Sequence, residues 1–225
     1  MLGIIGAMDV EVNALKERVE NKSIKTVANI DFVYGTIEGK AVCVAQCSPG
    51  KVNAALCTQA MLDNFDIDKV INIGVACSLS ENIVIKNAVV ATAVCQYDFD
   101  TSAIDGVKGL VIDGKTTLDT DEALSCALER SAKAVGAEVH RGIIATGDTF
   151  IASNELKRSI ADEFGAVCGE MEGGAIAQVC YINCVPFAVL RSISDGGDEN
   201  AQMDYPSFKE IAAELSCKII LTFLR

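Results

Sequence analysis

Histidine is almost missing from this chain: His140 is the only one in 225 residues. A Ser-His-Asp arrangement would have to centre on that residue. His140 lies in Glu-Val-His-Arg at the start of a predicted strand, where an exposed, non-catalytic side chain is expected. One imidazole and carboxylates scattered along the chain also fall short of a metal cluster, so no metal and no cofactor are expected. Basic clusters and interleaved aromatics are lacking, and the net charge is -12. This excludes non-specific attraction to phosphate backbones, and no nucleic-acid partner is expected. No segment approaches the ~18–20 apolar residues of a membrane span. The opening MLGIIGAMDVEV has no basic region ahead of its apolar residues, so it does not read as a signal peptide, and a cytoplasmic protein is expected. The P-loop pattern G-x-x-x-x-G-K-[ST] is absent, although Gly50-Lys51 opens a predicted helix.

Cysteine is plentiful, with ten residues, yet no two form C-x-x-C. Most sit inside apolar runs such as AVCVAQC and IAQVC. Reduced core thiols in a cytosolic protein are the expectation.

Hydrophobic residues make up 50% and charged residues 22%, the balance of a globular protein with a sizeable core. No repeat or linker breaks the chain, so one domain over residues 1–225 is expected. Predicted strands lie at 2–8, 32–37, 41–47, 69–78, 83–95 (with a bend at Lys86-Asn87), 138–145, 166–169 and 185–190. Predicted helices lie at 9–20, 52–64, 119–135, 153–164, 173–181 and 205–225. Gln96–Ser102 is polar and aromatic, and a Gly-rich loop follows to about Thr117. Near-regular alternation with one early hairpin predicts an α/β fold: a mixed, mostly parallel sheet covered by helices.

The chemistry concentrates in Cys168–Asp195. Glu170 and Glu172 flank Met171 ahead of a small-residue helix, and an apolar strand then ends in Arg191-Ser192-Ile193-Ser194-Asp195. Ligands of open α/β sheets bind outside the carboxyl ends of strands. Other strand ends deliver Glu11, the 74–78 segment and Thr146–Ile151. If these meet, the site holds several carboxylates, one Arg and apolar groups. Such a site suits acid–base cleavage of a glycosidic bond, although any single Asp or Glu is more often a cap or a surface charge.

Five ordered motifs, GIIGAMDVEV, SPGKVNAA, ATGDTFI, GEMEGGAIAQVC and VPFAVLRSISD, resemble the 5'-methylthioadenosine/S-adenosylhomocysteine nucleosidases of the nucleoside phosphorylase superfamily, in register over essentially the whole chain. The resemblance implies a three-layer α/β/α sandwich and release of adenine by attack of water at C1'. It implies Glu11 as the base that activates water and Asp195 as the acid that protonates purine N7. Glu172 would bind the ribose hydroxyls, with Met171 against the sugar. Phe150 would stack on adenine, and the Ile151 backbone would read its Watson–Crick edge. Ser194 would support Asp195, and Arg191 would help hold the water. Met8 and Tyr205 would line the 5'-substituent, with Val75 and Ala76 beside the substrate. A homodimer whose partner edge helps close the 5'-pocket is also implied.

The chain departs from the family pattern where Gly74-Val75-Ala76-Cys77-Ser78 replaces Gly-Ser-Ala-Gly-Gly, which removes a hydroxyl at Val75. Ser48-Pro49 and the Asp98–Ile104 segment differ as well. A phosphorylase, a futalosine-type hydrolase and a nucleoside-binding protein without turnover remain alternatives at this stage.

Overall fold

A computed structural model describes residues 1–225. In chain order the elements are β1 (Leu2–Gly6), α1 (Asp9–Arg18), β2 (Glu20–Val27), β3 (Ile30–Ile37), β4 (Lys40–Gln46), α2 (Lys51–Asn64), β5 (Lys69–Ser78), β6 (Ala88–Gln96), α3 (Ser102–Asp105), β7 (Leu118–Asp119), α4 (Glu122–Ala134), β8 (Val139–Thr146), α5 (Asn154–Phe164), β9 (Ala166–Glu170), α6 (Gly173–Ile182), β10 (Phe187–Asp195) and α7 (Ala201–Phe223). Side-chain caps start two helices, as their residue types predict. Asp121 accepts from the Leu124 amide at 2.8 Å, and Ser153 from the Leu156 amide at 3.3 Å.

The strands run in the order β10-β6-β8-β9-β5-β1-β4-β3-β2. β1 pairs in parallel with β4 and β5, β5 with β10, and β8 with β6 and β9. The β2–β3–β4 end is antiparallel, as are β6–β10 and β5–β9. Because β5 meets both β10 and β9, one half of the sheet curls into a closed ring of β5, β10, β6, β8 and β9. Two apolar layers cover the sheet. One packs Ile5, Met61, Ile176 and Val189 on the side of α2 and α6; the other packs Leu15, Leu128, Leu190 and Ile220 on the side of α1, α4 and α7. This is the three-layer α/β/α arrangement.

Several boundaries differ from the sequence reading. The first helix stops at Arg18, and residues 20–27 form an exposed edge strand whose burial shows no core-facing alternation. Val84–Asn87 is a turn, so β6 begins only after the Lys86 bend. β10 runs through Asp195, well beyond residue 190. The last helix begins at Ala201 and holds Pro206 in its interior, where the ring removes one backbone donor. All ten cysteines are free, eight of them buried. No helix is long and apolar enough to cross a membrane.

Candidate active site

Glu11 occupies the third position of α1, and its side chain folds back over the start of its own helix. Oε2 accepts from the amides of Ala7 at 2.7 Å and Met8 at 2.9 Å, and Oε1 accepts from Val75 at 3.0 Å. A Glu at this position reaches the N-cap amide in any capping-box helix, and the helix dipole favours its charge. Here those local preferences hold a 2%-exposed carboxylate between the ends of β1 and β5. Burial pushes its pKa up, against the pull of Arg191 and the three amides.

Gly74 shows how closely this region is packed. A Cβ there would lie 2.6 Å from both Glu11 Oε1 and Arg191 Nη1, so only glycine leaves room for the two groups to converge. Arg191 itself is 1% exposed. Its Nη2 donates to Asn72 and Glu170 and lies 3.6 Å from Glu172. Arg191 does not line the cavity; it lies beneath the carboxylates that do.

Glu170 ends β9 and acts as an anchor. It accepts the amides of Glu172 at 3.0 Å and Gly173 at 2.7 Å, capping α6, and it also accepts from Thr146 and Arg191. Glu172 has fewer partners: Gly50 donates to its Oε1 at 2.9 Å. The Gly50-Lys51 helix start therefore serves a carboxylate of the chain itself, an anion at a helix N-terminus. One guanidinium faces three buried carboxylates, so it cannot neutralise them all. Burial, with the charge of Glu170 added, raises the pKa of Glu172 well above the usual carboxylate range. Arg191 is kept protonated despite its own burial by Glu170, Glu172 and Glu11.

Asp195 ends β10 just after a register shift against β5, between Ile193 and Asp195. Such bulges re-aim side chains at strand ends. Its carboxylate accepts from Ser194 Oγ at 2.8 Å and from the Gly197 amide at 3.0 Å. Burial raises its pKa, with Asp204 and Asp198 adding to the effect, while those two hydrogen bonds oppose it.

These groups line one shared cavity. Met8, Glu11, Val75, Ala76, Phe150, Ile151, Met171, Glu172, Ser194, Asp195 and Tyr205 all line it, so the sequence-predicted set, Arg191 aside, is brought together. The Tyr205 hydroxyl donates to Met8 Sδ at 3.0 Å, and its ring meets Phe150 edge-on at 5.5 Å. The start of α7 thus roofs the cavity. Thr149, Cys77 and Glu170, from segments the sequence brings here without assigning them a role, also line it, as does Pro49, which was not predicted. Pro49 could have been found from its place before the Gly50 helix start; Cys77 and Thr149 carry no chemical signal of their own. The charged side chains lining the cavity are all carboxylates: Glu11, Glu170, Glu172 and Asp195. His140 lies elsewhere, half-buried on β8 and 3.2 Å from Asn87 Oδ1.

A family model of the phosphorylase superfamily matches residues 1–225. The chain belongs to the phosphorylase superfamily. Within that superfamily it is 37% identical to a 5'-methylthioadenosine/S-adenosylhomocysteine nucleosidase of Actinobacillus succinogenes, over 99% of this chain and 97% of that one. It is 36% identical to an aminodeoxyfutalosine nucleosidase of Helicobacter pylori, over 97% of this chain and 95% of the relative. The crystal structure of a 5'-methylthioadenosine/S-adenosylhomocysteine nucleosidase from Neisseria meningitidis, in complex with methylthio-immucillin-A, superposes with a TM-score of 0.95 at 32% identity. That match covers 99% of this chain and 97% of the other. The superfamily fold is thus present over the full length of the chain.

Proposed function

We propose that this protein is a purine nucleosidase that hydrolyses the N-glycosidic bond of 5'-methylthioadenosine and S-adenosylhomocysteine and releases adenine. The observation that carries the choice of water as nucleophile is the lining of the cavity. It holds four carboxylates and no Lys, Arg or His, so a phosphate dianion would be repelled where neutral water is not.

In this reading Glu11 is the base. Its carboxylate, held by three amides, takes a proton from water as the water attacks C1'. Asp195 is the acid. Burial favours its protonated form, and that proton passes to purine N7, making adenine a better leaving group. Glu172 binds the ribose hydroxyls on the sugar side of the cavity. Phe150 and the Ile151 backbone receive the base, with Val75 and Ala76 beside it. Met171 packs against the sugar, and Met8 and Tyr205 take the 5'-group. Arg191 acts from below, orienting Glu170 and opposing the excess negative charge.

The protein is further proposed to work as a cytoplasmic homodimer, consistent with its unpaired buried thiols. α2 and α6 pack side by side and expose Val52, Leu56, Tyr181 and Ile182, an apolar face that a second copy would cover.

The test is adenine release from 5'-methylthioadenosine, S-adenosylhomocysteine, aminodeoxyfutalosine and adenosine, with and without phosphate. Phosphate-independent release from the first two is expected. Strict phosphate dependence, or no release from any of them, would overturn the proposal.

A further inference from the structure

The turn that orients Glu172 is fastened from outside the cavity. Gly50, which donates to Glu172, lies at φ 98°, a conformation glycine adopts without strain. The next amide, Lys51 N, donates to Asp148 Oδ1 at 2.8 Å. The Asp148 amide in turn donates to Asp98 Oδ2 at 2.8 Å. Asp98 Oδ1 then accepts from Lys51 Nζ, which closes the ring. Lys51, Asp98 and Asp148 do not line the cavity, but residues close to Lys51 and Asp148 in the chain do: Pro49 on one side, Thr149 and Phe150 on the other. The Lys51 and Asp98 side chains keep 18% and 25% exposure, so their attraction is partly desolvated yet still open to screening by salt.

We propose that Asp98 is a positioning residue for the reaction. It locks the first turn of α2 to the loop after β8, and so sets Glu172 on the sugar side and Phe150 on the base side at once. It touches no substrate. The role rests on the function proposed above. Its loss should loosen binding and leave the acid and the base where they are. Asp98 lies on the connection after β6, apart from both segments it joins, so one substitution tests the link without altering either.

Asp98→Ala is expected to raise KM about 10-fold, the equivalent of roughly 1.4 kcal/mol, and to weaken adenine binding to match. Its kcat should stay within about threefold and its pH profile should be unmoved. Asp98→Asn keeps an acceptor for the Asp148 amide and should fall between Ala and wild type. Raising salt from about 0.02 to about 0.5 M should raise the wild-type KM and leave that of Asp98→Ala flat. A purely structural residue would lower Tm without moving KM well below Tm. Wild-type KM and wild-type adenine affinity in a folded Asp98→Ala overturn this role and leave the nucleosidase function standing. A wild type that releases no adenine overturns that function and this role with it. If Asp98→Ala does not fold, an unchanged KM in Asp98→Asn together with a salt-independent wild-type KM overturns the role.

Discussion

The backbone amide of Val75 donates to Glu11 Oε1 at 3.0 Å. Position 75 is where the chain lacks the hydroxyl of its resembled family, yet the proposed base is still held there. The contact is main-chain, so the side chain is free to vary without releasing the carboxylate.

Val75→Ala should therefore keep kcat within about threefold of wild type, equivalent to about 0.65 kcal/mol. Steady-state adenine release checks this. A loss of about 100-fold would show that the valine side chain itself shapes the attacking geometry.

Asp195→Asn should lower kcat by about 10²–10⁴-fold, the usual contribution of one positioned acid. The fold should survive, because an amide can keep bonds to the Gly197 amide and Ser194 Oγ. The wild-type kcat/KM profile should be bell-shaped. Glu11 must lose its proton, giving the acid limb, and Asp195 must hold one, giving the alkaline limb. Both pKa values are raised by burial, so the bell should lie on the alkaline side of ordinary carboxylates. Asp195→Asn should abolish the alkaline limb, and a variant that keeps it would reassign the acid.

Gly74→Ala would place a methyl 2.6 Å from Glu11 Oε1 and Arg191 Nη1. Overpacking of this kind costs about 1–3 kcal/mol of stability. The base and the buried cation must also part, so activity should fall by about 100-fold or more, as a misplaced catalytic group does. Thermal unfolding and turnover, measured together, separate the two effects.

Glu172→Gln tests the shared charge. The pKa of Glu172 in the folded protein stands above its ordinary value of 4.5, so the stability it contributes is fully present below pH 4.5 and is lost as pH rises through the raised value. A neutral amide carries no such loss and can still accept from Gly50. The slope of Tm against pH between about 5 and 8 should flatten, with each tenfold change in proton affinity worth about 1.4 kcal/mol. Activity should fall at the same time. An unchanged slope would mean that Glu172 titrates normally.

Much of the frame could be read from residues close in sequence. The apolar run at 69–78, the Ser153 cap and the Glu at the third position of α1 depend on neighbours within a turn or a strand, and each appears where the chain predicts it. The resemblance of five ordered motifs carried the remaining roles onto Asp195, Glu172 and Phe150. The exposed strand β2 was illegible because it has no buried face to impose a period. The closed ring of strands depends on the short pairing of Cys77 and Ser78 with Gly169 and Cys168, far apart in the chain. Sequence alone also could not divide the labour between Glu170 and Glu172, two residues apart and of the same type. Both line the cavity; only the tertiary structure ties the first to Arg191 and Thr146 and gives the second the Gly50 amide. The kinds of residue and their local elements follow from the sequence. Which carboxylate is an anchor and which holds a proton follows from through-space distance and desolvation, and these exist only once distant strands have met.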